Sequence, residues 1–145
     1  MQEIIPKKLE NKEKLSLRIL VADDQKVLRD LEKGILEDMG HKVEAVENGQ
    51  LLMDKLFKEN QGFDLIITDI EMPKKSGIEV LREIKYNPNL SKIPVIVISA
   101  NFDSDEKLKS SVLELGASAC LKKPFGEEEL YEVVEQAVEQ SESVK

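Results

Sequence analysis

Short apolar runs alternate with helical stripes along this chain. RILVA at Arg18–Ala22, DLIIT at Asp64–Thr68 and PVIVIS at Pro94–Ser99 are dense in Ile and Val. Their length and β-branching predict strands, and their near-continuous hydrophobicity predicts burial on both faces of a sheet. KVEAV at Lys42–Val46 alternates more and predicts an edge strand, while ASACL at Ala117–Leu121 is a weaker fifth strand. Pro94 fits because it opens its strand, where a missing N–H is tolerated.

Between these runs the apolar period becomes that of a helix. Val27, Leu31, Ile35 and Met39 recur every fourth residue with Leu28 and Leu36 beside them, and Gly40 then stops the pattern. Leu52 and Leu56 mark a second helix, and Ile78, Leu81 and Ile84 a third. Leu108, Val112 and Leu115 mark a fourth, closed by Gly116, and Leu130, Val133, Val134, Ala137 and Val138 mark a fifth. All these stripes are expected to face the core. Residues 1–16, with four Lys and three Glu around one Pro, depart from the pattern and predict a mobile tail. Residues 17–145 are then one folded unit.

A strand–helix unit repeated five times predicts an α/β fold, a parallel sheet with helices on both faces. In such sheets ligands bind at the carboxyl ends of the strands. Asp23 and Asp24 follow the first strand, Asp69 ends the third, Ser99 ends the fourth, and Lys123, followed by Pro124, comes after the fifth. Each has a plainer reading alone. Asp24 suits a helix N-cap, Asp69 a turn before Pro73, Ser99 a strand end, and Lys123 a solvated charge. Together they bring three carboxylates, a hydroxyl and an ammonium to one edge.

Two carboxylates about 4 Å apart repel by roughly 4 kcal/mol at an effective dielectric near 20, so the cluster calls for a cation. Oxygen ligands suit Mg²⁺. The only cysteine, Cys120, and the only histidine, His41, make no zinc set, and His41 is expected at the surface. A carboxylate in this setting also serves as a nucleophile that forms an aspartyl phosphate. Such transfer depends on positioning and charge neutralisation more than on an acid or base.

Composition narrows the classes. With 145 residues, 41% hydrophobic and 34% charged, the chain reads as a soluble globular protein. A net charge of −8 opposes binding to nucleic acid. One cysteine cannot form an internal disulfide, no apolar run nears the roughly 20 residues of a membrane span, and the first residues lack a signal core. A cytoplasmic protein with no membrane contact is expected.

The segments ILVADDQ, DLIITDIEMPKKSG, PVIVISA and LKKPF, in this order and spacing, resemble the receiver domains of two-component signalling, the CheY-like response regulators. The resemblance runs from about Leu17 to Gln140. It implies the doubly wound (βα)5 flavodoxin-like topology with strand order 2-1-3-4-5. It implies that Asp69 is the phosphoacceptor, and that Asp24, Asp69 and the Glu71 backbone carbonyl hold Mg²⁺, with Asp23 acting through water. Ser99 takes the family's switch position, and Lys123, before Pro124, is the family lysine, in a peptide bond often cis in relatives. The partner of the switch serine is usually aromatic; here that position is Cys120. Glu71 and Asn101 stand where relatives tune the phosphoryl lifetime.

The implied function is that of a free-standing, non-enzymatic regulator. It takes a phosphoryl group from a histidine kinase or histidine phosphotransfer protein and binds a downstream protein through its helix 4–strand 5–helix 5 face. It is expected as a monomer or a weak phosphorylation-dependent dimer. A receiver module of a hybrid kinase or phosphorelay is the alternative. A phosphatase of the haloacid dehalogenase type fits less well, because Glu71 stands where that class has a second Asp. A flavodoxin-like flavin binder is opposed by the acidic loop Ala22-Asp23-Asp24-Gln25, which repels phosphate unless metal is bound.

Overall fold

The computed structural model of the protein describes residues 16–58 and 62–143, the side chains only to residue 140. The expected tail falls almost wholly outside the described residues. Five strands and five helices alternate: β1 (Arg18–Ala22), α1 (Lys26–Asp38), β2 (Lys42–Val46), α2 (Gly49–Lys58), β3 (Leu65–Asp69), α3 (Gly77–Tyr86), β4 (Val95–Ser99), α4 (Glu106–Glu114), β5 (Ala119–Lys122) and α5 (Glu127–Ser143). The strands form one sheet in the order β2-β1-β3-β4-β5, and all four pairings are parallel.

Both faces of the sheet are covered. Ile19, Val21, Leu65, Ile67, Ile96 and Ile98 point to one side, where α1 and α5 bring Ile35, Leu36, Leu130, Val134 and Ala137. Leu20, Ala22, Ile66, Val95 and Val97 point to the other, against Leu52, Met53 and Leu56 of α2, Val80, Leu81 and Ile84 of α3, and Val112 of α4. Every residue of β3 and β4 is buried, as a strand enclosed on both faces must be. Gly40 and Gly116 follow α1 and α4 with φ of +96° and +109°, the left-handed geometry that ends a helix most readily on glycine. Among the described residues no helix is long and apolar enough to cross a membrane.

Three expectations need correction. Val27 and Leu31 do not face the core; they are 80% and 50% exposed. The buried side of α1 is set by Ile35 and Leu36 together with Glu32, because a stripe drawn every fourth residue drifts around a helix of 3.6 residues per turn. Strand boundaries shift by one or two residues: β3 extends to include Asp69, β4 begins after Pro94, and β5 begins at Ala119. Pro94 still serves the sheet through its carbonyl, which accepts from the Ile66 N–H at 3.0 Å. Lastly, His41 is half-buried. Its Nδ1 accepts from the Leu17 N–H at 3.1 Å, and burial holds its pKa below the usual value.

Candidate functional site

The parallel arrangement carries the ends of β1, β3, β4 and β5 to one edge of the sheet, and the residues read from the sequence meet there. Ligand oxygens of Asp23, Asp24 and Asp69 all lie within 4.8 Å of one another. At that separation, each pair of ionised carboxylates repels by at least about 3 kcal/mol at an effective dielectric near 20. Lys123 opposes this repulsion. Its Nζ donates to Asp69 Oδ2 at 2.8 Å and stands 3.2 Å from Asp23 Oδ2. It also reaches Gln25 Oε1 at 3.3 Å. Burial disfavours the ammonium, but Asp69 and Asp23 outweigh it and raise the Lys123 pKa.

Asp69 is 3% exposed. Burial is the main cause that raises its carboxyl to about 7, and Asp23 adds to it against the opposing Lys123. Its Oδ1 is buried with no hydrogen-bond partner among the described residues. Local structure fixes the residue tightly. The Gly77 N–H donates to the Ile70 carbonyl at 2.9 Å, folding the start of α3 back onto the end of β3. A Cβ on Gly77 would lie 2.1 Å from the Asp69 carbonyl oxygen, so only glycine allows that approach. Ser76 caps α3 through a capping box with Glu79, which anchors the far end of the same loop.

Asp23 and Asp24 divide the work after β1. Asp23 is 1% exposed and its Oδ1 accepts from the Gln25 N–H at 2.9 Å. Asp24 is exposed. It is not the N-cap of α1: that position is Gln25, without a side-chain cap bond. The capping reading of Asp24 therefore falls, and its carboxylate stays available to the cluster.

Ser99 is fully buried at the end of β4. Its hydroxyl donates to the Glu71 carboxylate at 3.1 Å and accepts from the Asn101 N–H at 2.9 Å. Cys120 pairs with Val97 in the sheet and packs on the α2–α3–α4 side, opposite Ala119 and Leu121. Burial pushes its thiol up to about 11. The Lys123–Pro124 peptide bond is cis.

Two residues of the site were not singled out from the sequence. The Glu71 side chain, considered only for its backbone carbonyl and its variable position, is the partner of Ser99. Glu32 lies buried beside Asp23, and burial first, then Asp23, raises its carboxyl to about 9. The signal for Glu32 was present: it lies four residues after Leu28 and four before Leu36, an acid on an apolar face.

The donor set suits a hard divalent cation. It is all oxygen, it holds more negative charge than Lys123 balances, and Asp69 within it has a buried Oδ1 with no partner among the described residues. Asp23, Asp24 and Asp69 are the residues that could hold it.

A five-stranded doubly wound sheet with an acidic cluster and a lysine at its carboxyl edge defines a class of signalling module. The sequence model of the response regulator receiver domain matches residues 19–135, and the chain belongs to this family. It is 36% identical over 107 residues to a gliding motility regulatory protein of Myxococcus xanthus, covering 74% of this chain and 13% of that protein. It is 37% identical over 113 residues to a transcriptional regulatory protein, the CpxR homolog of Haemophilus influenzae, covering 78% and 46%. The chain thus spans under half the length of either. A solved receiver domain of a Pseudomonas aeruginosa sensor histidine kinase superposes with a TM-score of 0.76 at 26% identity, covering 86% of this chain and 99% of that one. That structure has a magnesium ion coordinated in its active-site cleft.

Proposed function

We propose that Asp69 is the phosphoacceptor of this receiver domain and that phosphorylation changes the protein surface presented to a partner. One observation carries the reading. Asp69 ends the central strand with Oδ2 held by Lys123 and Oδ1 buried without a partner among the described residues, beside the carboxylates of Asp23 and Asp24. Oδ1 is the nucleophile. It attacks phosphorus in a phosphohistidine of a histidine kinase or phosphotransfer protein; a P–O bond forms, the P–N bond breaks, and the leaving imidazole nitrogen keeps the electron pair. Lys123 neutralises charge on a phosphoryl oxygen. Asp23, Asp24, Asp69 and the Glu71 carbonyl would hold Mg²⁺, which would supply the remaining charge neutralisation.

Ser99 links the site to the surface. Leaving Glu71 for a phosphoryl oxygen, its hydroxyl frees the loop that runs into α4. The response emerges on the face built by α4, β5 and α5, where an ion pair between Lys122 and Asp103 already joins β5 to that loop. The ligand drives this change by its higher affinity for one of the two arrangements. The output is a protein contact, made with a separate partner or with another domain of a longer polypeptide.

The test uses acetyl phosphate or phosphoramidate with Mg²⁺ and follows phosphoryl addition by intact-mass spectrometry. The wild type gains one phosphoryl group, which EDTA prevents and Asp69→Asn abolishes. Undiminished incorporation in Asp69→Asn refutes the assignment.

A further inference from the structure

Gln25 stands where a helix cap belongs and does not cap. It is the N-cap residue of α1, in extended backbone, and its side chain makes no cap bond. The usual caps are Ser, Thr, Asp and Asn, whose short side chains reach the first helical N–H groups. The Gln25 backbone is tied on both sides. Its N–H donates to Asp23 Oδ1 at 2.9 Å, and its carbonyl accepts from the Arg29 N–H at 2.9 Å. The longer side chain crosses instead to the residue after β5, where Oε1 accepts from Lys123 Nζ at 3.3 Å, a bond between residues 98 apart. An ammonium has three N–H groups. On Lys123 one serves Asp69 Oδ2 at 2.8 Å and one serves Gln25, while Asp23 Oδ2 stands 3.2 Å away. These partners are unequal. Asp69 and Asp23 are buried carboxylates, whereas Gln25 is an exposed, neutral amide. Hydrogen bonds with an ionised partner on both sides are stronger than those with a neutral acceptor.

We propose that Gln25 is a placeholder on Lys123, its amide oxygen holding the ammonium N–H that an incoming phosphoryl oxygen takes. The inference rests on the phosphoacceptor reading given above. While the phosphoryl donor approaches, Asp69 is still a carboxylate and keeps its own bond to the ammonium. The bond to the amide is the one that breaks at least cost, and Gln25 lies on the exposed side of the site, where its released amide is taken up by water. Neutrality is the property that matters. An acid at this place would hold the ammonium as firmly as a phosphoryl oxygen does, and the exchange would slow. Gln25 acts through Lys123 and is a positioning residue of the site.

The test follows phosphoryl addition to the full chain from phosphoramidate at saturating Mg²⁺, by intact-mass spectrometry, in high salt that screens charge at a distance. Gln25→Glu keeps the shape and makes the acceptor ionic. Gln25→Met keeps the approximate length and removes the acceptor. Val27→Glu puts the same added charge on the exposed first turn of α1 as a control for repulsion of the donor. Gln25→Glu should react about ten-fold more slowly than wild type and bind beryllofluoride more weakly by a similar factor, while Val27→Glu stays within about three-fold. Gln25→Met should react as fast as wild type or faster. Beryllofluoride affinity, measured by calorimetry, is the readout that a merely structural role of this exposed side chain would not move. The proposal is overturned if Gln25→Glu is no slower than Val27→Glu, or if Gln25→Met falls clearly below wild type, which would make the amide a required ligand. Wild type that gains no phosphoryl group, or Asp69→Asn that gains it undiminished, refutes the phosphoacceptor reading itself, before any Gln25 variant is compared.

Discussion

Asp69→Asn tests the energetics of the site by a change of one atom. Burial, opposed by Lys123, raises the Asp69 carboxyl from 3.8 to about 7. Between those values the folded protein holds a proton that the unfolded chain releases. The associated stability is fully present below pH 3.8 and is lost as pH rises through about 7. At 1.36 kcal/mol per unit, the loss is about 2 kcal/mol at pH 5 and about 4 kcal/mol at pH 8. Asparagine has the same shape, still accepts from Lys123, and does not ionise. Glu32 titrates in both proteins and largely cancels in the comparison. The stability gap between Asp69→Asn and wild type should therefore widen by about 2–3 kcal/mol from pH 5 to pH 8. Urea unfolding in EDTA, followed by far-UV circular dichroism at several pH values, measures it. Mg²⁺ at a hundred times its dissociation constant should return about 2.7 kcal/mol to wild type and much less to the variant. A gap constant across this range, or a wild type that gains stability on the mutant as pH rises, refutes the reasoning.

Gly77→Ala places a Cβ 2.1 Å from the Asp69 carbonyl oxygen; it should cost about 1–3 kcal/mol and weaken Mg²⁺ binding by moving Asp69, whereas wild-type values in denaturation and calorimetry would show that the loop yields freely. Cys120, with its thiol pushed up to about 11 by burial, should label slowly at neutral pH. Its rate should change when Mg²⁺ and beryllofluoride are added to wild type but not to Asp69→Asn; equal rates throughout would mean that the α4–β5 region does not respond to the site.

The sequence by itself determined the order of elements, the class of sheet and the residues at its carboxyl edge. Buried parallel strands must be apolar along their whole length, which makes RILVA, DLIIT and PVIVIS legible without any tertiary information. Once strands and helices alternate, connection rules leave few topologies, and the strand ends must share an edge. Asp23, Asp24, Asp69, Ser99 and Lys123 were placed correctly for that reason. Tertiary structure alone decided which groups at that edge touch. Helix rotation is poorly fixed by a stripe read every fourth residue, so the stripe points Val27 and Leu31 inward although they are exposed, and does not mark Glu32 although it is buried. The Ser99–Glu71 bond joins residues 28 apart, and the Lys123–Asp69 bond residues 54 apart. Such contacts depend on side-chain direction at the ends of neighbouring strands, which no local periodicity encodes. The raised pKa values of Asp69 and Glu32 have the same origin: burial and neighbouring charge belong to the folded chain, and a sequence lists the acids without stating how far each stands from water.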